Sequence, residues 1–269
     1  MAEGARNHIR VQLVQMAVSP DISENIRTME QAVDPRVDLA LLPELWNVPY
    51  DNELIQASYA WSGTCREAMA RTAREKAVWV AGTIGYEGQN MAFVFDETGR
   101  EVCRYAKTHL MEVHTARHHY TERDVFAPGD RLVSFSTPWG PMGILICYDI
   151  RFCEPVRTLA RRGIRLLLVC AAFNDQAGPA HWQPLLQCRA LENEIWVAAV
   201  NPDYAYKNYR AWGHSMIVDP NGQVYGQGPG LYDIDLSYVE AVRQRMPFWK
   251  IRRTDLYSLE EQHEKNTNH

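Results

Sequence analysis

Apolar runs of strand length and amphipathic runs of helical period alternate along this chain from end to end. Residues 9–17 predict a strand, and 22–33 a helix with Asp21 or Ser23 as its N-cap. A short apolar strand over 37–42 stops at Pro43-Glu44. Residues 65–76 are helical in composition, and 77–84 form a β-branched strand. Residues 91–95 and 101–105 pair across Asp96-Glu97-Thr98-Gly99 as a hairpin. The second half repeats the rhythm: strands over 131–136 and 142–146, a helix over 154–162 closed by Gly163, a strand over 164–170, a helix over 181–193 and a strand over 195–200. Strands over 215–218 and 223–225 flank the turn Asp219-Pro220-Asn221-Gly222, and a strand over 231–235 precedes a last helix over 236–245. No linker rich in Pro, Gly or Ser interrupts this order. Mixed hairpins and βαβ units without a break predict a single α/β sandwich domain over 1–269, with 246–269 as a polar tail.

Composition narrows the function classes. A chain of 269 residues, 46% hydrophobic and 23% charged, can bury a sizeable core. The net charge of −5 argues against nucleic-acid binding, which leaves a basic footprint. No apolar run reaches the length of a membrane span, so no membrane partner is expected. Cysteines stand at 65, 103, 147, 153, 170 and 188, with no Cys-x-x-Cys pair, and the residues before Val11 are polar and charged. That usage predicts free thiols in a reduced, cytoplasmic protein.

Cys147 changes the picture most. It ends the apolar run Met142-Gly143-Ile144-Leu145-Ile146 and precedes Tyr148-Asp149-Ile150-Arg151-Phe152, where a strand gives way to a turn and then a helix. Glu44 follows one strand in the same way, and Lys107 follows the strand ending at Tyr105-Ala106. Sites in α/β sheets form beyond the carboxyl ends of strands, so three such ends can meet in one cleft. There a carboxylate can take the thiol proton, the thiolate can attack a carbonyl, and an ammonium can hold the oxyanion. Taken singly, a strand-end Cys is more often core, and a Glu or Lys after a strand is more often a solvated loop residue. Phe173 and Trp182 are candidate pocket walls, and Arg151 with Glu154 and Arg189 with Glu192 are candidate ion pairs near the elbow. His109, His114, His118 and His119 fall within eleven residues, but no Cys or carboxylate spacing completes a ligand set, so no metal is expected.

In order and number, these segments resemble the nitrilase superfamily of carbon–nitrogen hydrolases across residues 9–257. The marks are Leu42-Pro43-Glu44, Tyr105-Ala106-Lys107-Thr108-His109-Leu110 and Gly143-Ile144-Leu145-Ile146-Cys147-Tyr148-Asp149-Ile150-Arg151-Phe152. Gly178-Pro179-Ala180-His181-Trp182, Arg189-Ala190-Leu191-Glu192-Asn193, Gly213-His214-Ser215-Met216-Ile217-Val218-Asp219-Pro220 and Arg252-Arg253-Thr254-Asp255-Leu256-Tyr257 follow. The resemblance implies a four-layer αββα sandwich that pairs as a homodimer into eight layers. It implies Glu44 as general base, Lys107 as oxyanion stabiliser and Cys147 as nucleophile, with the Tyr148 N–H as second oxyanion donor. Glu122, ahead of Pro128-Gly129-Asp130, is implied to hold Lys107 and orient the substrate.

The resemblance implies no cofactor. It is nearest to the ω-amidase and deaminated-glutathione amidase branch, which implies hydrolysis of the terminal amide of a small carboxylated substrate through a thioester, with ammonia released. A basic residue should then anchor the substrate carboxylate, and Arg117, Lys207 and Arg210 are candidates by loop position. Nitrile or N-carbamyl hydrolysis on the same residues, and a binding or scaffold role without turnover, are the alternatives. The chain departs from the family pattern at Cys153, where Pro is common, at Asn221, where Trp is usual, and over 111–120, which matches no known substrate class.

Overall fold

The computed structural model describes residues 6–114 and 119–256. Two six-stranded mixed sheets form its centre. The first runs, edge to edge, Gly230–Asp235, His8–Leu13, Leu39–Leu41, Trp79–Tyr86, Gln89–Phe95 and Glu101–Ala106. The second runs Val224–Gln227, Met216–Val218, Trp196–Val200, Leu166–Cys170, Gly140–Ile146 and Ser134–Thr137. Each has parallel strands at its centre, His8–Leu13 with Leu39–Leu41 and Trp79–Tyr86 in one and Gly140–Ile146 with Leu166–Cys170 and Trp196–Val200 in the other. Antiparallel strands flank them.

The layers follow from the period of two along a strand. Leu39 and Leu41 join the cluster between the sheets, together with Ile144, Leu168 and Ala198 of the second sheet. Ala40 and Leu42 face the other way, into a cluster with helical residues Ile26, Met29, Cys65 and Met69. Those residues come from helices Ile22–Ala32 and Ser62–Lys76. On the far face of the second sheet, helices Cys153–Arg161 and Gly178–Asn193 bury Val156, Leu159, Leu186 and Ala190. The order of layers is thus helix, sheet, sheet, helix, as expected. The first helix starts where the capping chemistry predicts: Asp21 Oδ1 accepts from the Ser23 N–H at 2.9 Å and the Glu24 N–H at 3.3 Å.

Several boundaries differ from the periodic reading. The first strand ends at Leu13, because Val14, Met16 and Val18 leave the ladder and pack into the outer cluster under the helices. A helix, Asn52–Ser58, capped by Asp51, was not expected from the pattern. The polar stretch after Lys107 carries a hairpin, Glu112–His114 with His119–Thr121, whose first strand is exposed throughout and so shows no apolar alternation. Residues 246–256 are not merely a tail: Pro247–Trp249 forms a single turn, and the Arg252 guanidinium lies 3.8 Å from the Trp249 ring centroid. Tyr257 and the residues after it, Arg117 and His118 lie outside the described residues.

Candidate active site

The strand ends meet between the sheets. Glu44 follows Leu39–Leu41, and its N–H donates to the Ala171 carbonyl at 3.2 Å, joining the first sheet to the end of Leu166–Cys170 in the second. Lys107 follows Glu101–Ala106, and Cys147 follows Gly140–Ile146. Cys147 opens a five-residue 3₁₀ turn, Cys147–Arg151, with φ of 45°. A non-glycine residue in that region is held there by its surroundings, here a sharp turn that takes the thiol out of the strand.

All four predicted catalytic side chains are buried: Glu44, Lys107, Glu122 and Cys147. Lys107 Nζ donates to Glu44 Oε1 at 2.7 Å and to Glu122 Oε1 at 2.7 Å. The two carboxylates are not equivalent. Glu122 has every oxygen occupied: Oε1 also accepts from the Tyr50 hydroxyl, and Oε2 accepts from the Met111 N–H. Glu44 Oε1 accepts a second bond from Asn90 Nδ2 at 2.8 Å, while Oε2 accepts from no N–H or O–H group of the described residues, and a hydrogen bond with the Cys147 thiol also acts on this carboxylate. A carboxylate with an open oxygen can take a proton without breaking a bond, and one with both oxygens filled is a fixed counter-charge.

Electrostatics separates the groups further. Burial pushes the Glu44 carboxyl up, and the charge of Glu122 adds to that against the opposing pull of Lys107. Burial alone would pull the Lys107 ammonium down, but the charges of Glu122 and Glu44 outweigh it and hold it well above its ordinary value. Burial and the Glu44 charge push the Cys147 thiol well above its ordinary value, while Lys107 and the Ala172 N–H act to lower it. The resting pocket therefore holds a neutral thiol beside a carboxylate, with a fixed cation next to both. That arrangement suits base-assisted attack on a carbonyl better than a standing thiolate.

A family model described as carbon-nitrogen hydrolase matches residues 10–250. The chain belongs to the carbon–nitrogen hydrolase family of the nitrilase superfamily. This hydrolase is 35% identical to the omega-amidase NIT2 of Xenopus tropicalis over 270 residues, covering 94% of this chain and 98% of the relative. It is similar in structure to Saccharomyces cerevisiae Nit3, a member of branch 10 of the nitrilase superfamily. The TM-score there is 0.82 and the identity 28%, with 93% of this chain and 98% of that one covered. It is also similar to a mutant amidase from Nesterenkonia sp. AN1 that shows covalent addition of the acetamide moiety of fluoroacetamide at the active site cysteine. In that case the TM-score is 0.73 and the identity 25%, covering 94% of this chain and 96% of that one.

Around the hydrolase's central residues the other candidates divide. Tyr148 follows Cys147 in the turn, and the Arg151 guanidinium lies 5.3 Å from its ring centroid and 5.0 Å from that of Phe173. Phe173 packs on Trp182 with ring centroids 5.0 Å apart, and the Trp182 indole N–H donates to the His214 carbonyl at 2.6 Å. Arg189 pairs with Glu192 at 3.0 Å and also donates to the Ile150 and Arg151 carbonyls at 2.8 and 2.9 Å, clamping the far end of the Cys147 turn. Arg151 turns instead to His181 Nδ1, at 3.2 Å. Lys207 is exposed and held by Asp51 at 2.8 Å, and Arg210 is exposed with Asp203 at 3.9 Å. Among the described residues, no group of three or more His, Cys, Asp or Glu is placed to hold a metal ion. No described helix is long and apolar enough to cross a membrane.

Sequence reasoning missed three neighbours: Asn90, Tyr50 and Asp149 as a hub. Asp149 was visible only as part of the Cys147 segment. Its carboxylate accepts from the Tyr105 hydroxyl at 2.8 Å, Thr108 Oγ1 at 3.1 Å, the His109 N–H at 2.9 Å, His109 Nδ1 at 2.9 Å and the Ile146 N–H at 3.0 Å. One carboxylate thus ties the loop after Lys107 to the strand before Cys147. Asp149→Asn would turn an NH₂ group toward several of these donors. The variant is expected to lose about 1–3 kcal/mol of stability and ~10²-fold in kcat/KM through misplacement of Lys107 against Cys147. Chemical denaturation and steady-state kinetics check both, and unchanged kinetics in a folded variant would remove Asp149 from the positioning frame.

Proposed function

We propose that this hydrolase cleaves the terminal amide of a small carboxylated compound, forming a thioester on Cys147 and releasing ammonia. The observation that carries the reading is the unequal pair of carboxylates on buried Lys107, with Glu44 Oε2 free of any N–H or O–H donor among the described residues and the carboxylate in hydrogen-bond reach of a neutral thiol. In this reading Glu44 takes the thiol proton as sulfur attacks the amide carbon. Lys107 Nζ and the Tyr148 N–H hold the negative oxygen. The tetrahedral carbon then expels nitrogen, which leaves as ammonia with the proton from Glu44. Water enters, gives its proton to Glu44 and attacks the thioester. The acid leaves, and the thiol regains its proton from Glu44. One carboxylate serves as base then acid in each half-reaction, as microscopic reversibility requires. Glu122 keeps its bonds throughout and holds Lys107 in place.

The omega-amidase relatives support the choice of a terminal amide, and the adduct at the active-site cysteine of the Nesterenkonia amidase supports the covalent step. The test is ammonia release from α-ketoglutaramate, succinamate, deaminated glutathione, a short aliphatic nitrile and an N-carbamyl amino acid. The expected result is turnover of a carboxylated amide at least ~10-fold above the nitrile and carbamyl compounds in kcat/KM, the scale of discrimination that one or two pocket contacts supply. Preference for the nitrile or carbamyl compound would overturn the substrate class.

A further inference from the structure

The buried amide of Asn90 has no structural work of its own. Asn90 stands just after the two-residue turn Glu87-Gly88, whose φ angles of 51° and 75° belong to the tight turn that joins Trp79–Tyr86 to Gln89–Phe95. That turn sets the register Gly85↔Asn90. Asn90 then shares the strand face of Ala92 and Val94, the face buried between the sheets, and a slip of one residue would turn it outward. It is a fully buried polar residue on an otherwise apolar face. Its main-chain carbonyl accepts from the Lys107 N–H at 2.9 Å. Nδ2 donates to Glu44 Oε1 at 2.8 Å, and Oδ1 has no partner among the described residues. The amide cannot be reversed, because Oδ1 would then face a carboxylate oxygen. A buried amide that leaves its own acceptor unsatisfied weakens the fold compared with an apolar residue of the same shape. Its one side-chain bond is to Glu44, so the reason for an amide here lies with Glu44.

We infer that Asn90 is a positioning residue for the reaction: it shares Glu44 Oε1 with Lys107 and so reserves Oε2 for proton exchange with Cys147. The inference rests on the proposed role of Glu44 as the base. Without Asn90, the carboxylate can rotate about its terminal torsion, which is soft, and either oxygen can pair with Lys107. The base then spends time turned away from the thiol. It also loses a donor that favours its charged form, so it should protonate at higher pH. Substrate binding depends on neither effect.

Asn90→Leu, similar in size, and Asn90→Ala, which adds no bulk, test this. For each, kcat and KM for the best amide of the panel are measured against pH. The rate of Cys147 alkylation by iodoacetamide is followed across pH by peptide mass spectrometry, and unfolding is followed thermally. The expected result is a folded variant with kcat down about 10- to 100-fold, part of what a general base supplies. KM should stay within about twofold, and the acid limbs of both kcat/KM and alkylation should move to higher pH. A folded variant with kcat within twofold of wild type and both limbs in place would overturn the inference, as would a loss carried wholly by KM. If Asn90→Leu does not fold, Asn90→Ala decides. If wild type hydrolyses no compound of the panel, the proposed function fails. The alkylation profile still reads whether Asn90 controls the Glu44–Cys147 pair.

Discussion

Lys107→Met is expected to cost stability and activity together, and stability by more than any other single change at the site. The variant leaves Glu44 and Glu122 buried with their shared cation gone. Removing one partner of a buried ion pair typically destabilises by about 3–5 kcal/mol, because the remaining charge is left without compensation. Here the remaining charges are two like carboxylates, so the loss should fall at the upper end. Methionine fills much of the lysine's volume, which keeps cavity formation from explaining the result. Turnover should fall at least ~10²–10³-fold, the usual effect of removing one oxyanion donor. The direction with pH is fixed by the same charges. In the variant, protonating Glu44, whose carboxyl burial already pushes up, removes the repulsion, so its deficit against wild type should shrink as pH falls. Urea denaturation at several pH values measures this. A deficit under about 1 kcal/mol that does not vary with pH would mean that the two carboxylates are not charged together, and the division of labour between them would fall with it.

The electrostatic core was legible in the sequence only in part, and the reason is geometric. Glu44, Lys107 and Cys147 each follow a strand at its carboxyl end, so the strand pattern made them candidates together, but none stood out singly and their roles came from the resemblance. The alternation that sends Leu39 and Leu41 inward and Ala40 and Leu42 outward likewise carried the sandwich. Asn90 and Tyr50 gave no such signal. A polar residue beside a turn, as in Gly88-Gln89-Asn90, looks like turn chemistry until the register shows it on the buried face. Tyr50 lies in an irregular stretch between a strand and a helix, and its hydroxyl reaches Glu122 across 72 positions of sequence. Glu122 came from resemblance alone. The hairpin whose base it anchors, through the Met111 N–H and its own N–H to the Met111 carbonyl at 2.9 Å, has an exposed first strand and hence no pattern to read.

Cys147→Ala should separate what Lys107→Met joins: hydrolysis lost by about 10⁴-fold or more, with stability changed by no more than about 1 kcal/mol. The thiol is buried and neutral in the resting protein, since burial and the Glu44 charge both hold its proton. Removing it therefore strands no charge, and the Lys107 bonds to Glu44 and Glu122 remain. Alanine meets the same left-handed backbone at φ 45° as cysteine does, so the turn is neither relieved nor further strained. What disappears is the thiol that, in the proposed mechanism, Glu44 deprotonates toward the substrate carbon. Trapping supplies the second readout. Hydroxylamine added during turnover should intercept the thioester of wild type as a hydroxamate, and the variant should give none. If the alanine variant kept more than about 1% of the activity, water would be attacking the amide directly with Glu44 as its base. Covalent catalysis would then be excluded, although every hydrogen bond at the site would stand.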